Sequence, residues 1–341
     1  MLPFKDILES IENDSFKEDY LDLSSQDIDD ASATRLASAL KKSQNIKRVH
    51  LGGNNIGDKG ALALSEVPLN ELNLRRNRIT SAGASALANS SLKKLDLSGN
   101  PIGDKGARAL AISNNLEELE VEECGITNTG AKLLLRSKMT SLNLSSNDLT
   151  DWCLRELPEN NTLQALRLDQ NRITNVGASF IAQNSSLKKV SLSSNQIDDR
   201  GVEDIAKKNR TIEELMLGQN RVGGEGFSNL CSSVSIRILS LYRNSVNFSK
   251  IGSFPANNSF VEVSLSSNEI DDSNLEALER LASIPTLTTL NMESNNISDN
   301  GAEVLLQFRN PQLKKIDLRD NPIDNEELIK SGFGGLKRKF C

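Results

Sequence analysis

One phrase recurs along this chain and limits what it can fold into. LNELNLRRN begins at residue 69, LKKLDLSGN at 92, LEELEVEEC at 116, MTSLNLSSN at 139 and LQALRLDQN at 163. LKKVSLSSN at 187, IEELMLGQN at 212, IRILSLYRN at 236, FVEVSLSSN at 260, LTTLNMESN at 287 and LKKIDLRDN at 313 continue it, and IKRVHLGGN at 46 precedes it. With a degenerate first copy, EDYLDLSSQ at 18, the copies number thirteen, most of them 23 to 25 residues apart. Repeats of this period stack and share one elongated core, so 341 residues need not divide into separate globules.

Each phrase alternates apolar and polar residues with period two, which reads as a short strand with its apolar side turned inward. The Asn that closes it (Asn54, Asn77, Asn100 and their equivalents) stands where the chain turns into the core. Its amide can satisfy backbone groups that would otherwise be buried unpaired. Cys124 takes that place once and reads as a buried structural thiol. Further on comes a residue of N-capping type: Asp30, Asp58, Ser81, Asp104, Asn128, Asp151, Asn175, Asp199, Asp272, Asp299 or Asn325. Each is expected to accept the free N–H groups at the start of a helix. Gly-Ala pairs such as Gly60-Ala61, Gly83-Ala84 and Gly130-Ala131 follow and would let adjacent helices approach closely.

The pattern LxxLxLxxN with an apolar residue two positions on resembles the leucine-rich repeat family, from about residue 16 to the end. Strand, turn and helix in each unit most resemble the ribonuclease-inhibitor-like type, although the units are shorter, so the helices should be short. The resemblance implies an α/β solenoid, with parallel strands on a concave face and helices on a convex face. Strands pack about 4.8 Å apart and helices about 8 to 10 Å, so such an array curves into a horseshoe. We expect a single domain over residues 1–341: a helical cap at 1–15 built on Phe4, Ile7, Leu8 and Ile11, repeats at 16–325, and a cap at 326–341 using Phe333, Leu336 and Phe340. The tenth copy departs from the rule at VNFSKIGSFPANNSF (246–260), where Phe248 holds the capping position and Pro255 interrupts any helix. A loop or a single helical turn is expected there.

Composition narrows the partners. A net charge of −6 and a pI near 5.2 give no general field for phosphate backbones, so nucleic acid is excluded as a partner class. No stretch is long and apolar enough for a membrane span, and the N-terminus MLPFKDILESIENDSF carries early acids, unlike a secretory signal. Four scattered cysteines fit reduced thiols. A cytoplasmic monomer is expected.

Strand residues that point away from the core are free to specialise. In LEELEVEEC, Glu118, Glu120 and Glu122 project outward, with Glu117 and Glu123 at the strand ends. The register expected from alignment sets Lys93 beside Glu117, Lys94 beside Glu118, Asp96 beside Glu120 and Ser98 beside Glu122. Glu120, Glu122 and Glu123 then lack a cation on the neighbouring strand unless Arg75 and Arg167 reach across. The strand is either a site for a protein partner with a basic patch or a solvated acidic face. Met216, Ile238 and Tyr242 form a second candidate on consecutive strands, with Gly218 leaving room beside the ring. They are either interface anchors or scattered exposed apolar residues. Trp152 occupies a slot that elsewhere holds Lys59, Lys105 or Arg200, so it is either a side-surface contact or lies near Val176 of the next repeat.

Catalysis finds little support. The single histidine, His50, is expected between Asp22 and Asn73, with no nucleophile partner. No P-loop, HExxH, GxSxG or EF-hand pattern occurs, and neither a cofactor nor a metal is implied. Two function classes follow from resemblance. One is a non-enzymatic protein-binding scaffold, similar in its Asn-, Ser- and Lys-rich style to leucine-rich repeat effectors that intracellular bacteria inject into the host cytosol. The alternative is a GTPase-activating protein similar to the Ran GTPase activator, although that family has longer repeats and an acidic tail, whereas this chain ends GGLKRKFC.

Overall fold

The computed structural model describes residues 4–13, 15–43, 45–251, 259–325 and 328. The chain forms two compact units, Met1–Asn171 and Arg172–Cys341. In the first, α1 (Phe4–Glu12) precedes strands β1 (Tyr20–Asp22), β2 (Arg48–His50), β3 (Glu71–Asn73), β4 (Lys94–Asp96), β5 (Glu118–Glu120), β6 (Ser141–Asn143) and β7 (Ala165–Arg167). Between them run α2 (Asp30–Leu40), α3 (Asp58–Ser65), α4 (Ser81–Ala88), α5 (Gly103–Ala111) and α6 (Asn128–Leu134), and then two 3₁₀ turns, Asp151–Leu154 and Leu157–Glu159. All the strands pair in parallel and in sequence order.

The second unit repeats the scheme with β8 (Lys189–Ser191), β9 (Glu214–Met216), β10 (Ile238–Ser240), β11 (Glu262–Ser264), β12 (Thr289–Asn291) and β13 (Lys315–Asp317), again parallel and in order. Its helices are α7 (Asn175–Gln183), α8 (Asp199–Lys208), α9 (Gly224–Cys231), α10 (Leu275–Ala282) and α11 (Asp299–Gln307). Each unit is therefore an α/β solenoid of short strands and short helices, the fold class expected. The irregular copy contributes one 3₁₀ turn, Phe248–Lys250, in which Phe248 is buried and stacked on Phe227 with ring centroids 5.8 Å apart. Pro255, like Phe333, Leu336 and Phe340 of the expected C-terminal cap, lies outside the described residues. At the other end Ile7, Leu8 and Ile11 are buried and α1 packs on α2.

The core follows from the alternation. Leu72, Leu74, Leu95, Leu97, Leu119 and Val121 are buried, while the residues between them face out. The inward turns are held by an asparagine ladder. Asn77 accepts from Ile56 N at 2.9 Å and donates to Leu51 O at 2.9 Å and Leu74 O at 3.0 Å, so one side chain satisfies three buried backbone groups in two coils. Asn268 repeats this with Val246, Leu241 and Leu265. At position 124 the acceptor role is not needed, because Ile102 N bonds to Asn100 O at 2.8 Å. Only a donor is required, and the Cys124 thiol donates to Leu97 O at 3.2 Å. Cys124, Cys153 and Cys231 are free and buried, and burial pushes the Cys124 and Cys153 thiols up to about 12.

A further set of buried asparagines closes the helix-to-strand turns. Asn184, Asn209 and Asn310 each stand three residues before the first apolar residue of the next phrase, and Asn209 accepts from Thr211 N and Ile212 N while donating to Asn184 O. That spacing is visible in the sequence, just ahead of each strand phrase.

The expected capping role needs correction. Most helices are capped by the preceding residue: Asp29, Thr80, Thr127, Thr174, Asp198 and Ser298 accept from their own helix starts. The residues singled out instead serve the following coil. Asp58 accepts from Thr80 N at 2.8 Å, Thr80 Oγ1 at 2.6 Å and Gly83 N at 2.9 Å. Asp104 does the same for Thr127 and Gly130, and Asp272 for Ser298 and Gly301. The glycines make room for these carboxylates: a Cβ on Gly83 would lie 2.6 Å from Asp58 Oδ1, and one on Gly130 would lie 2.5 Å from Asp104 Oδ1. Ser81, which has no carboxylate, makes no such bond among the described residues, and α5 follows Ile102, which offers no side-chain acceptor either.

Two outcomes follow. Asn77→Ala orphans the buried Ile56 N–H, while Leu51 O and Leu74 O keep the Asn54 and Asn100 amides, and it should destabilise the protein by about 1 to 3 kcal/mol in urea unfolding, the cost of one unsatisfied buried group. Burial pushes the Asp58 carboxyl up, but hydrogen bonds from Thr80 and Gly83 outweigh it and hold the group below its ordinary 3.8. Its stabilisation is thus present above that ordinary value and disappears as pH falls through the lower folded value. Asp58→Asn should lower the urea midpoint at neutral pH, by an amount that shrinks towards about pH 3.

Candidate functional site

In the first unit the outward strand positions form columns. The register of β4 and β5 sets Lys94 beside Glu118 and Asp96 beside Glu120, as expected from alignment, and β6 brings Ser141 beside Glu118 and Asn143 beside Glu120 on the other side. Leu119 holds the strand down while Glu118 and Glu120 face out. The charges are largely met from within. Lys93 Nζ lies 2.7 Å from Glu117, Lys94 Nζ 3.5 Å from Glu118, and Arg75 crosses over β4 to reach Glu122 at 3.1 Å. Arg167 turns instead to Asp169, 3.6 Å away. Glu120 is the distinct member: Asn143 Nδ2 donates to it at 2.6 Å, and burial raises its carboxyl above the ordinary value, with Asp96 adding to the shift. Arg75, Arg76, Glu122, Glu123, Ser146, Asp148 and Gln170 line a polar depression of about 420 Å³ where the strands end.

Alignment also places His50 between Asp22 and Asn73, which the register reproduces, but misses its partners. Tyr20 Oη lies 3.1 Å from His50 Nδ1, and Glu71 Oε1 lies 3.2 Å from His50 Nε2. Tyr20 meets the imidazole edge-to-face at 4.9 Å and lies under the Arg48 guanidinium at 5.4 Å. Tyr20 and Glu71 stand at the first strand position, one column from His50, so writing out both columns would have found them. Trp152, in the Asp151–Leu154 turn, is 49% exposed, with Lys132 Nζ 5.2 Å from its ring centre. Lys132 and Arg136 both pair with Glu156, at 2.5 Å and 3.1 Å.

In the second unit Met216 stands opposite Ser240, which puts Ile238 and Tyr242, two residues either side of Ser240, on its diagonals. All three are half-buried. The room expected beside Gly218 is filled by the tyrosine itself, whose Cδ1 would be 3.4 Å from a Cβ on Gly218. The Arg243 guanidinium lies 5.0 Å from the Tyr242 ring centre. Ser191, Ser240 and Ser264 complete this face with small polar groups, and Lys189 pairs with Glu214 at 2.7 Å. Among the described residues no cluster of His, Cys, Asp and Glu is placed to hold a metal ion, and no helix is long and apolar enough to cross a membrane.

Glu120 yields a stability test. Its carboxyl is raised in the fold, so the ionised form carries a cost that is absent below the unfolded value and grows as pH rises through the folded one. Glu120→Gln should therefore melt at the same or a higher temperature than the parent at neutral pH and lose that advantage near pH 4, the ordinary carboxyl range, in paired thermal melts.

The geometry agrees with comparisons to known proteins. The chain resembles an internalin from Listeria monocytogenes at 18% identity, over 95% of this chain and 86% of that one, with a TM-score of 0.61. It also resembles the leucine-rich repeat domain of APL1B at 19% identity, over 95% and 93% of the two chains, with a TM-score of 0.52. At such identities these likenesses speak for the fold alone. No curated protein matches in sequence. The family model described as Leucine Rich repeat matches residues 42–65, 68–88, 88–111, 113–135, 137–151, 159–182, 183–206, 208–231, 256–278 and 283–306. With more than half of its length matched, the chain belongs to the leucine-rich repeat family.

Proposed function

We propose that this protein is a non-enzymatic scaffold of ribonuclease-inhibitor-like type that binds a protein partner through the outward residues of its strands. Leucine-rich repeat folds typically serve as protein-interaction scaffolds. The observation that carries the reading is the placement of Met216, Ile238 and Tyr242: three half-buried apolar side chains on adjacent strands, set among serines, with an arginine over the tyrosine ring. Aromatic, Met and Arg side chains ringed by small polar groups are the composition of an interface anchor. Helices of 7 to 11 residues alternating with three-residue strands support the ribonuclease-inhibitor-like assignment. Trp152 and its Lys132 neighbour offer a separate edge contact.

The acidic strand takes a narrower role than its composition suggests. Glu118 and Glu122 already hold Lys94 and Arg75, so a basic partner must exchange those ion pairs rather than meet bare charge. Such exchange contributes to partner choice and encounter rate more than to net affinity. The Asn-, Ser- and Lys-rich style supports an effector acting inside a host cell.

One capture experiment tests these readings together. Immobilised protein should retain a partner from animal-cell lysate, identified by mass spectrometry, and not from bacterial lysate. Met216→Ala with Tyr242→Ala should reduce retention about tenfold or more, the loss of one or two anchors of about 2 kcal/mol, at nearly unchanged melting temperature. Glu120→Lys with Glu122→Lys should reduce it further at low salt. Retention untouched by the first pair would remove the apolar patch from the site, and retention untouched by the second would remove the acidic strand.

A further inference from the structure

The second unit carries a cationic cleft on the edge where the chain enters its strands, away from the outward strand residues just discussed. The residues immediately before β8, β9, β10 and β11 are Lys188, Glu213, Arg237 and Val261. Backbone hydrogen bonds tie them in a row: Glu213 N to Lys188 O at 2.8 Å, Arg237 N to Glu213 O at 2.8 Å and Val261 N to Arg237 O at 2.7 Å. Two residues earlier in each coil lies a row of hydroxyls, of which Ser259 and Thr286 are fixed by donating to Ile236 O and Phe260 O of the coil before. Arg210 is anchored beside them, its Nη1 donating to Ala206 O at 3.2 Å and Asn209 O at 2.8 Å. Together these groups enclose a cleft of about 530 Å³.

The charge in this cleft is only partly compensated. Lys188, Arg210 and Arg237 line it with one carboxylate, Glu213, although the chain as a whole carries −6. In the first unit the same column is neutralised, with Lys93 2.7 Å from Glu117. Here the adjacent Lys188, Glu213 and Arg237 form no ion pair among the described residues. Val234, 60% exposed, adds an apolar wall.

We infer that this cleft binds an acidic, extended peptide segment of a partner protein. Lys188 and Arg237 are two strands apart, about 10 Å at the usual strand spacing. In the polyproline II form, with three residues per turn and a rise of about 3.1 Å per residue, positions i and i+3 fall on one side of the peptide about 9 Å apart. A peptide with carboxylates at those positions thus reaches both cations, and an intervening aliphatic side chain packs on Val234. Arg237 and the free edge of Arg210 present planar donor pairs suited to carboxylates. The site is independent of the Met216, Ile238 and Tyr242 patch.

The test is fluorescence anisotropy on the full chain with a labelled peptide of sequence Gly-Glu-Val-Gly-Glu-Gly, its Gln-for-Glu counterpart and inorganic phosphate as competitor. The acidic peptide should bind, weaken with rising salt, and bind about tenfold more weakly to Arg237→Ala and to Lys188→Ala, each removing one charged hydrogen-bond partner. Glu213→Gln should tighten binding, and Tyr242→Ala should leave it unchanged. Equal binding of the Gln peptide, no effect of Arg237→Ala in a folded protein, no tightening by Glu213→Gln, or complete displacement by low phosphate would each overturn the assignment, the last by indicating a simple anion site.

Discussion

Burying a chain that turns inward every two dozen residues sets one demand above the others: the amide and carbonyl groups of each turn must find partners in a dry interior. The asparagine ladder meets it. Asn77 serves Ile56 and Leu51 of the coil before and Leu74 of its own, so a turn is complete only when the next coil is in place. Stacked leucines supply the apolar area that drives this association. The amide ladder fixes its register, because a coil shifted by one residue would present Arg76 or Arg78 where the Asn77 amide is required.

A second ladder on the flank explains the small residues at the helix starts. Asp58, Asp104 and Asp272 hold the first free N–H groups of the following helix, and glycine is required where their oxygens come within 2.6 Å of a would-be Cβ. The interruptions are as informative. Where Ser81 replaces the carboxylate, the next helix begins uncapped, and where Phe248 replaces it, the slot becomes part of the core against Phe227. The outward strand columns, in contrast, carry no such duty, and there the two units differ: one wears a self-neutralised mixture of Glu, Lys and Arg, the other small hydroxyls around an apolar centre.

Strand positions, inward leucines, the asparagine turns and the register of the acidic strand were legible in the sequence because each is a local rule repeated many times. Reading Asp30 and its equivalents as caps found the right chemistry and the wrong recipient. Helix-start rules describe one helix, while here the acceptor and donor are about one repeat apart in sequence and adjacent in space. The partners of His50 and the reach of Arg75 to Glu122 were hidden for a related reason, since they depend on side-chain length across one or two strands. The cleft around Arg237 was missed because its residues fall before the strand phrase, among positions that look like linker.

Because a flank carboxylate projects forward and a glycine receives from behind, a coil of the regular type bears both halves of the joint. A copy inserted whole between two others brings a peg for its successor and a socket for its predecessor, and needs no compensating change elsewhere. Length is then a free variable in such an array, open to gene duplication and deletion, while direction is not: a coil reversed in order would set carboxylate against carboxylate.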